Sequence, residues 1–118
     1  MGNLARDGIP LESTITNNIQ RYLKRLPGWW GFKVMGGAQQ KRGVPDIIGC
    51  YRGRFVGLEV KRPVLGRVSD LQEAIIEQIN AVGGCAVVVY GVDDVKQVIA
   101  ALDAALLGAD VFAGGGDD

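Results

Sequence analysis

The chain has 118 residues, of which 13 are basic, 13 are acidic and none is histidine. The lack of histidine excludes Ser-His-Asp triads, Cys-His pairs and histidine-based metalloproteases, and two cysteines alone do not complete a zinc site. No apolar run approaches the roughly 20 residues of a membrane-spanning helix, and no signal-peptide core is recognisable. We therefore expect one soluble, cytoplasmic domain with no membrane partner.

Although the charges sum to zero, they are segregated along the chain. Residues 21–67 contain eleven basic residues and only two acids, Asp46 and Glu59, which gives a net charge of +9. Residues 68–118 contain one basic residue and nine acids, for −8, and the first twenty residues contribute −1. A basic surface around a small acidic centre suits cleavage of a polyanion, and the alternative is a segregated but inert surface charge.

A loose lead-in over residues 1–10 precedes elements predicted in the order α-β-β-β-α-β-α. Helical and alternating apolar spacings predict helices over 11–26, 69–82 and 93–107, and strands over 29–34, 46–51, 55–61 and 85–90. Ser69 is expected to cap the second helix, and the second and third strands form a hairpin around a turn at 52–54. We assign residues 11–108 to a single domain and residues 109–118 to a disordered acidic, glycine-rich tail.

A continuous apolar strand such as 85–90 needs cover on both of its faces. We therefore expect an α/β fold in which a central mixed β-sheet is flanked by helices. Cys50 and Cys85 lie in apolar strands, which favours buried free thiols over a disulfide or a zinc pair.

Three residues of the hairpin are the strongest candidates for a site. Side chains alternate along a strand, so Glu59 and Lys61 project from one face, and Gly57 leaves room on that face. Asp46 opens the neighbouring strand, and hairpin pairing brings the start of one strand beside the end of the other. Asp46, Glu59 and Lys61 are therefore expected to meet at one end of the hairpin.

Carboxylate and carbonyl oxygens are the ligands that Mg²⁺ and Mn²⁺ prefer. We expect Asp46, Glu59 and the backbone carbonyl of Val60 to bind such an ion, which polarises a phosphate and supplies or orients the attacking water. Lys61 would stabilise the developing charge or hold the nucleophile. The alternative is an Asp in a turn beside an exposed Glu-Lys pair.

Two polar residues occupy helix faces that are otherwise apolar, where inward polar groups need partners. Glu12 is placed to reach the ion directly or through a water molecule, and Gln72 to orient the nucleophile or a phosphate. For each, the alternative is a residue at the edge of its helix with its head group in solvent.

Glu12 and three further segments, in this order, resemble the VRR-NUC family, a branch of the PD-(D/E)XK nuclease superfamily. The segments are Arg-Gly-Val-Pro-Asp at 42–46, Leu-Glu-Val-Lys at 58–61 and Gly-Arg-Val-Ser-Asp-Leu-Gln at 66–72. The resemblance covers about residues 11–100. It implies a restriction-endonuclease-like core, divalent-metal-dependent DNA cleavage in DNA repair and, for a short stand-alone member of bacterial or phage origin, a homodimer similar to Holliday-junction resolvases.

By matching position, the resemblance also implies a catalytic core of Asp46, Glu59 and Lys61, supported by Glu12 and Gln72. Six basic residues are expected to contact DNA phosphates, which favours recognition of DNA shape over base sequence. They are Lys41, Arg42, Arg52, Arg54, Arg62 and Arg67. The Trp29-Trp30 segment and the apolar face of the last helix, with Val98, Leu102 and Leu106, are candidate dimer surfaces. The alternative for each is ordinary core, which is favoured for the helix.

The leading hypothesis is a metal-dependent, structure-selective DNA endonuclease that acts as a homodimer on branched DNA. A second hypothesis is a catalytically silent nucleic-acid-binding module that keeps the nuclease fold. A third is an α/β interaction module whose basic face binds an acidic protein.

Overall fold

The computed structural model describes residues 5–37 and 41–115, with the backbone alone for residues 109–115. The elements are α1 (Glu12–Lys24), β1 (Trp29–Lys33), β2 (Ile47–Tyr51), β3 (Arg54–Val60), α2 (Asp70–Ala81), β4 (Cys85–Val89) and α3 (Val92–Gly115). The predicted order of elements is confirmed, and every strand begins and ends within one residue of its predicted bounds.

The four strands form one mixed sheet in the order β1-β2-β3-β4. The β1–β2 and β2–β3 pairs are antiparallel, whereas β3 and β4 are parallel. Parallel neighbours require a crossover connection, and α2 provides it. The prediction of an α/β fold with a central mixed sheet flanked by helices is confirmed at this level.

The main core lies between one face of the sheet and the helices α1 and α3. Alternate β3 residues Val56, Leu58 and Val60 are buried there, as the strand period requires. They pack among residues of the two helices, spaced three or four apart: Ile15, Ile19, Leu23, Val95, Ile99 and Leu102. Each fully buried aliphatic side chain contributes about 1.5–3 kcal/mol relative to exposure, so this face contributes most of the hydrophobic stabilisation.

The opposite face of the sheet is covered only in part, because α2 packs against β4. Asn80 of α2 binds Ala86 of β4 twice: its side-chain amide donates to the Ala86 carbonyl at 3.0 Å, and its carbonyl accepts from the Ala86 N–H at 2.7 Å. Cys50, on β2, is exposed, and Cys85 is partly buried. Both thiols are free, but the expected burial of Cys50 is wrong because α2 does not extend over its strand.

The hairpin between β2 and β3 turns through two residues rather than the predicted three. Arg52 (φ 48°) and Gly53 (φ 91°) both have positive φ, as a type I′ turn requires, and Tyr51 pairs with Arg54. This turn fits the right-handed twist of the strands and fixes the register of the pair.

The last helix is longer than predicted. It continues past Leu107 to Gly115, so residues 109–115 are helical rather than part of a disordered tail. Gly108 lowers helix propensity by only about 1 kcal/mol, and alanines and leucines surround it. Residues 116–118 of the predicted tail lie outside the described residues. Among the helices of the described chain, α3 included, none has the length and apolarity needed to cross a bilayer.

Candidate functional site

The register of the hairpin places Asp46 opposite Glu59. Ile47 pairs with Leu58, so Asp46, which precedes Ile47, faces Glu59, which follows Leu58. The Asp46 Oδ2 atom accepts a hydrogen bond from the Val60 N–H at 2.8 Å. The Asp46 carboxylate is thereby held against the end of β3.

Pro45 and Gly57 explain why Asp46 takes this position. Pro45 is fully buried, and a Cβ atom added to Gly57 would lie 2.9 Å from the Pro45 Cγ atom. The missing side chain of Gly57 therefore makes room for Pro45. Gly57 therefore leaves room on the Glu59 face, as expected, and Pro45 fills that room and sets the backbone before Asp46.

Glu59 is almost completely buried, with 1% of its surface exposed. Its Oε2 atom accepts a hydrogen bond from the Gln72 Nε2 atom at 3.1 Å and lies 3.4 Å from the Lys61 Nζ atom. Its Oε1 atom is buried and has no hydrogen-bond partner among the described residues. Buried polar atoms are normally paired, and a proton shared with the Asp46 carboxyl group or a bound cation would satisfy this oxygen.

Burial and the neighbouring Asp46 carboxyl group together raise the pKa of the Glu59 carboxyl group to about 8, and burial is the larger cause. The charge of Lys61 opposes these effects without cancelling them. In this buried site, one ammonium group is therefore too little positive charge to keep Glu59 ionised beside Asp46 at neutral pH. A bound cation would supply the remainder.

The backbone of β3 adds a third oxygen on the same side. The Lys61 N–H donates to the Val89 carbonyl of β4, and the peptide bonds are trans. The N–H and C=O of one trans peptide point in opposite directions, so the Val60 carbonyl is directed away from β4 and toward Asp46. An unpaired carboxylate oxygen, a second carboxylate and this carbonyl form an all-oxygen set that fits Mg²⁺ or Mn²⁺.

Gln72 is fixed at both ends of its amide. Its Oε1 atom accepts from the Ser69 N–H at 3.0 Å, while the Ser69 hydroxyl accepts from the Gln72 N–H at 3.1 Å. This capping box confirms Ser69 as the N-cap of α2. Because the other end of the amide holds Glu59, the geometry makes Gln72 a positioning residue for that carboxylate rather than a group directed at a nucleophile.

Glu12 lies apart from the pair formed by half-buried Asp46 and buried Glu59. It is exposed at the start of α1 and lines, together with Asp46, a cavity of about 540 Å³. Within residues 5–37 and 41–108, no three Asp, Glu or Cys side chains are close enough together to hold one ion. Glu12 therefore shares a cavity with Asp46 without joining the Asp46–Glu59 pair.

Three basic residues line the same cavity: Lys33, Lys41 and Arg42. Lys41 and Arg42 belong to the predicted phosphate contacts, but Lys33 was not singled out. Its position at the end of β1, paired with Ile47, places it one residue along from Asp46. Strand alternation puts Lys33 on the Ile47 face, so the signal that could have found it is its place at the end of the strand next to the one that follows Asp46.

The remaining predicted phosphate contacts are separated from the cavity. Arg52 and Arg54 lie at the turn of the hairpin, about 17 Å from Glu59 at the usual rise of a strand. Arg52 is near Asp103, and the Arg54 Nε atom donates to the Gly83 carbonyl. The Arg67 guanidinium donates to two carbonyls of its own loop.

Arg62 anchors the lead-in segment to the end of β3. Its guanidinium contacts both carboxylate oxygens of Asp7, at 2.8 and 3.0 Å, and donates to the carbonyls of Ile9 and Pro10. These contacts occupy the guanidinium, so the structure gives Arg62 a structural role.

No model of a known protein family matches the chain, and comparisons with curated proteins and with solved structures found no match.

Proposed function

We propose that this protein is a divalent-metal-dependent nuclease that hydrolyses phosphodiester bonds in DNA. The observation that carries the proposal is the pair of facing carboxylates, Asp46 and Glu59, with one buried oxygen unpartnered and Lys61 beside it. A purely structural Glu-Lys pair does not require a second carboxylate opposite it. Burial first, and the Asp46 carboxylate second, raise the pKa of Glu59, and perturbed acids of this kind are common at functional sites.

Asp46, Glu59 and the Val60 carbonyl would hold Mg²⁺ or Mn²⁺ at this end of the hairpin. Such an ion, when bound, polarises the scissile phosphate and makes water a stronger nucleophile at neutral pH. Gln72 keeps the Glu59 carboxylate oriented through its 3.1 Å hydrogen bond.

Lys61 is the group that this chain offers to a developing negative charge. Its side chain is 12% exposed, and its Nζ atom lies 3.4 Å from Glu59. Beside a bound ion, the Lys61 ammonium group would donate to a phosphate oxygen or orient water. A lysine is suited to this because its compact charge sits on a flexible stem.

The cavity beside Asp46 supports a polyanionic substrate. Lys33, Lys41 and Arg42 line it, and positive groups of this kind neutralise backbone phosphates without reading base sequence. Recognition of branched or otherwise structured DNA is therefore part of the proposal.

Two further parts of the proposal derive from the resemblance to the VRR-NUC family. They are a restriction-endonuclease-like fold and a homodimer that acts on junctions in the manner of Holliday-junction resolvases. The order α-β-β-β-α-β-α and the mixed sheet are compatible with that fold. Two sites related by two-fold symmetry suit paired incisions.

One observation favours a different function, a catalytically silent module that binds nucleic acid. Glu59 is 1% exposed and its Oε2 atom already contacts Lys61 and Gln72, so only the buried Oε1 atom is left for an ion. Such a module would keep the basic cavity and would not cut DNA.

Incubation of labelled four-way-junction, flap and linear DNA with Mg²⁺ or Mn²⁺ separates the two functions. The nuclease cuts at least one substrate, and Asp46→Ala or Glu59→Ala lowers the rate at least about 100-fold while gel-shift binding survives. Glu77→Gln, a change of an exposed acid on α2, is the matched control and keeps the parental rate. If the protein retards DNA in the gel but cuts none of the substrates with either metal, it is the catalytically silent module.

A further inference from the structure

An aromatic face lies open on the part of the sheet that α2 leaves uncovered. It consists of Trp30 and Phe32 on β1 and Phe55 on β3, which are 70%, 50% and 43% exposed. Trp30 pairs with Cys50, and Cys50 pairs with Phe55, so the side chains of three neighbouring strands project from the same face. Single exposed apolar residues need no explanation, but three rings on one open sheet face indicate a binding surface.

This aromatic face is continuous with the candidate site. Phe55 and Glu59 are four residues apart on β3, and strand alternation puts them on the same side. Phe32 pairs with Ile48, which is two residues, or about 7 Å, from Asp46. A chain that lies across Trp30 and Phe32 therefore reaches the end of the hairpin that carries Asp46.

The chemistry of the face favours nucleic-acid bases over another protein surface. The three large exposed side chains are flat rings, and Trp30 meets Phe32 edge to face at 5.8 Å with an interplanar angle of 78°. Basic side chains lie at both ends of the face: Arg54 lines a pocket with Phe55 at the turn, and Lys61 lies 3.4 Å from Glu59 at the other end. Aromatic rings in a positively charged setting are the usual means of binding single strands, because every base has a face that stacks.

We propose that the aromatic face binds unpaired bases of a single-stranded segment next to the bond that is cut. This inference rests on the proposed nuclease function and narrows its substrate to DNA with an unpaired strand, such as a flap, a gap or the open arms of a branch. The alternative occupant, a second copy of this chain, is an outcome of the test below.

Binding is measured in EDTA, so that cleavage does not enter the result. A fluorescein-labelled oligonucleotide of about 12 thymidines is titrated with the wild type and with Trp30→Phe, Trp30→Leu and Phe32→Leu, and Leu107→Ala is the control. Leu107 is an exposed apolar residue of α3 and lies away from this face. The substitutions change exposed side chains, and circular dichroism verifies the fold of each.

Stacking requires a ring and not merely apolar area. Trp30→Leu and Phe32→Leu are expected to weaken binding about tenfold each, whereas Trp30→Phe and Leu107→Ala stay within about threefold of the wild type. Tryptophan fluorescence is expected to fall on addition of the oligonucleotide and to fall less in Trp30→Phe. Leucine variants that bind as tightly as the wild type overturn the inference.

Solution mass and cleavage assays separate the other outcomes. If Trp30→Leu converts a dimer to a monomer without changing oligonucleotide affinity, the face is an interface between copies and the inference is wrong. If the wild type cuts blunt duplex and flap DNA equally well and the leucine variants do not alter the ratio, the inference fails while the nuclease function stands. If binding depends on the rings but no substrate is cut with either metal, the single-strand surface stands and the proposed nuclease function fails.

Discussion

At the scale of single residues, Glu59 makes the stability of the metal-free protein depend on pH. The pKa of its carboxyl group is about 8 in the folded protein, above its ordinary value of 4.5. Between these two values, the unfolded chain releases the proton and the folded chain keeps it. Raising the pH through this window therefore favours the unfolded state, and no further change from this group occurs above about pH 8.

We expect the free energy of unfolding of the wild type, measured in EDTA by urea titration, to fall between pH 5 and pH 8 relative to that of Glu59→Gln. Glutamine keeps the shape and the hydrogen-bonding ends of the protonated acid without a charge to bury. At pH 7 the variant should be more stable than the wild type by about 3 kcal/mol, since this pH lies about 2.5 units above the ordinary pKa and one unit corresponds to about 1.4 kcal/mol. Equal stability of the two proteins across this range would contradict the charged, crowded environment of Glu59.

The same proton competes with the proposed ion. Below about pH 8, binding of Mn²⁺ must expel it, so the apparent affinity measured by calorimetry should rise up to about tenfold per pH unit and level off above pH 8. Glu59→Gln should bind the ion weakly and without this slope. A wild-type affinity that does not vary between pH 6 and 8 would remove Glu59 from the ligand set.

The meeting of Asp46, Glu59 and Lys61 was predictable because it depends on local chemistry. A hairpin with a short turn fixes its own register, and strand alternation fixes which side chains share a face. The near-complete burial of Glu59 was not predictable in the same way. It depends on α2, which returns to the sheet through a crossover and places Gln72 over the carboxylate.

At the scale of elements, α2 both caps itself and positions the site through Gln72. Gln72→Glu separates these two roles. A carboxylate still accepts the Ser69 N–H, so the helix should keep its cap, but it places a third negative group against Glu59. We expect cleavage to fall at least about 100-fold with little change in helical circular dichroism, whereas Gln72→Ala should also lose part of the roughly 1 kcal/mol that such a cap contributes. Full activity of Gln72→Glu would show that the amide does not hold Glu59 in the active state.

The contact between Pro45 and Gly57 is a second element-scale device. Gly57→Ala places a methyl group 2.9 Å from the Pro45 ring, which pushes Pro45 and the adjoining Asp46 away from β3. Overpacking of this kind lowers the free energy of unfolding by about 1–3 kcal/mol. We expect the cleavage rate to fall as well, because Asp46 is displaced. Gly91→Ala is the control, because nothing lies within 4 Å of its added Cβ atom. Equal urea midpoints for the two variants would mean that the contact is easily relieved.

The order of elements was readable from apolar spacing and turn residues. The end of α3 was not, since a single glycine among good helix formers weakens a helix without stopping it. The exposure of Cys50 was also missed, because an apolar strand does not reveal which of its faces a distant helix will cover.

At the scale of the whole molecule, the basic residues divide between the two ends of the sheet. Lys33, Lys41 and Arg42 line the cavity beside Asp46, whereas Arg52 and Arg54 lie at the hairpin turn. A charge count along the sequence does not distinguish these groups. Their separation appears only when the direction of each strand is known.

Salt dependence of DNA binding tests this division. Arg42→Ala should lower affinity and flatten the plot of log affinity against log salt by about one unit, the value for one lost phosphate contact. Arg54→Ala should change the affinity and the salt slope less, because the Arg54 guanidinium already donates to the Gly83 carbonyl and lies far from the site. A larger effect of Arg54→Ala would mean that DNA also runs over the turn of the hairpin.

The two-residue turn at Arg52-Gly53 has a kinetic consequence. The hairpin is the most local pairing in the sheet, whereas β4 must wait for the crossover through α2, so nucleation at the hairpin brings two like charges face to face early in folding. Electrostatic repulsion between Asp46 and Glu59 then slows formation of the hairpin. Refolding followed by stopped-flow fluorescence should accordingly accelerate when Asp46→Asn relieves that repulsion, and the proposed ion would act on the folding rate as well as on the chemistry.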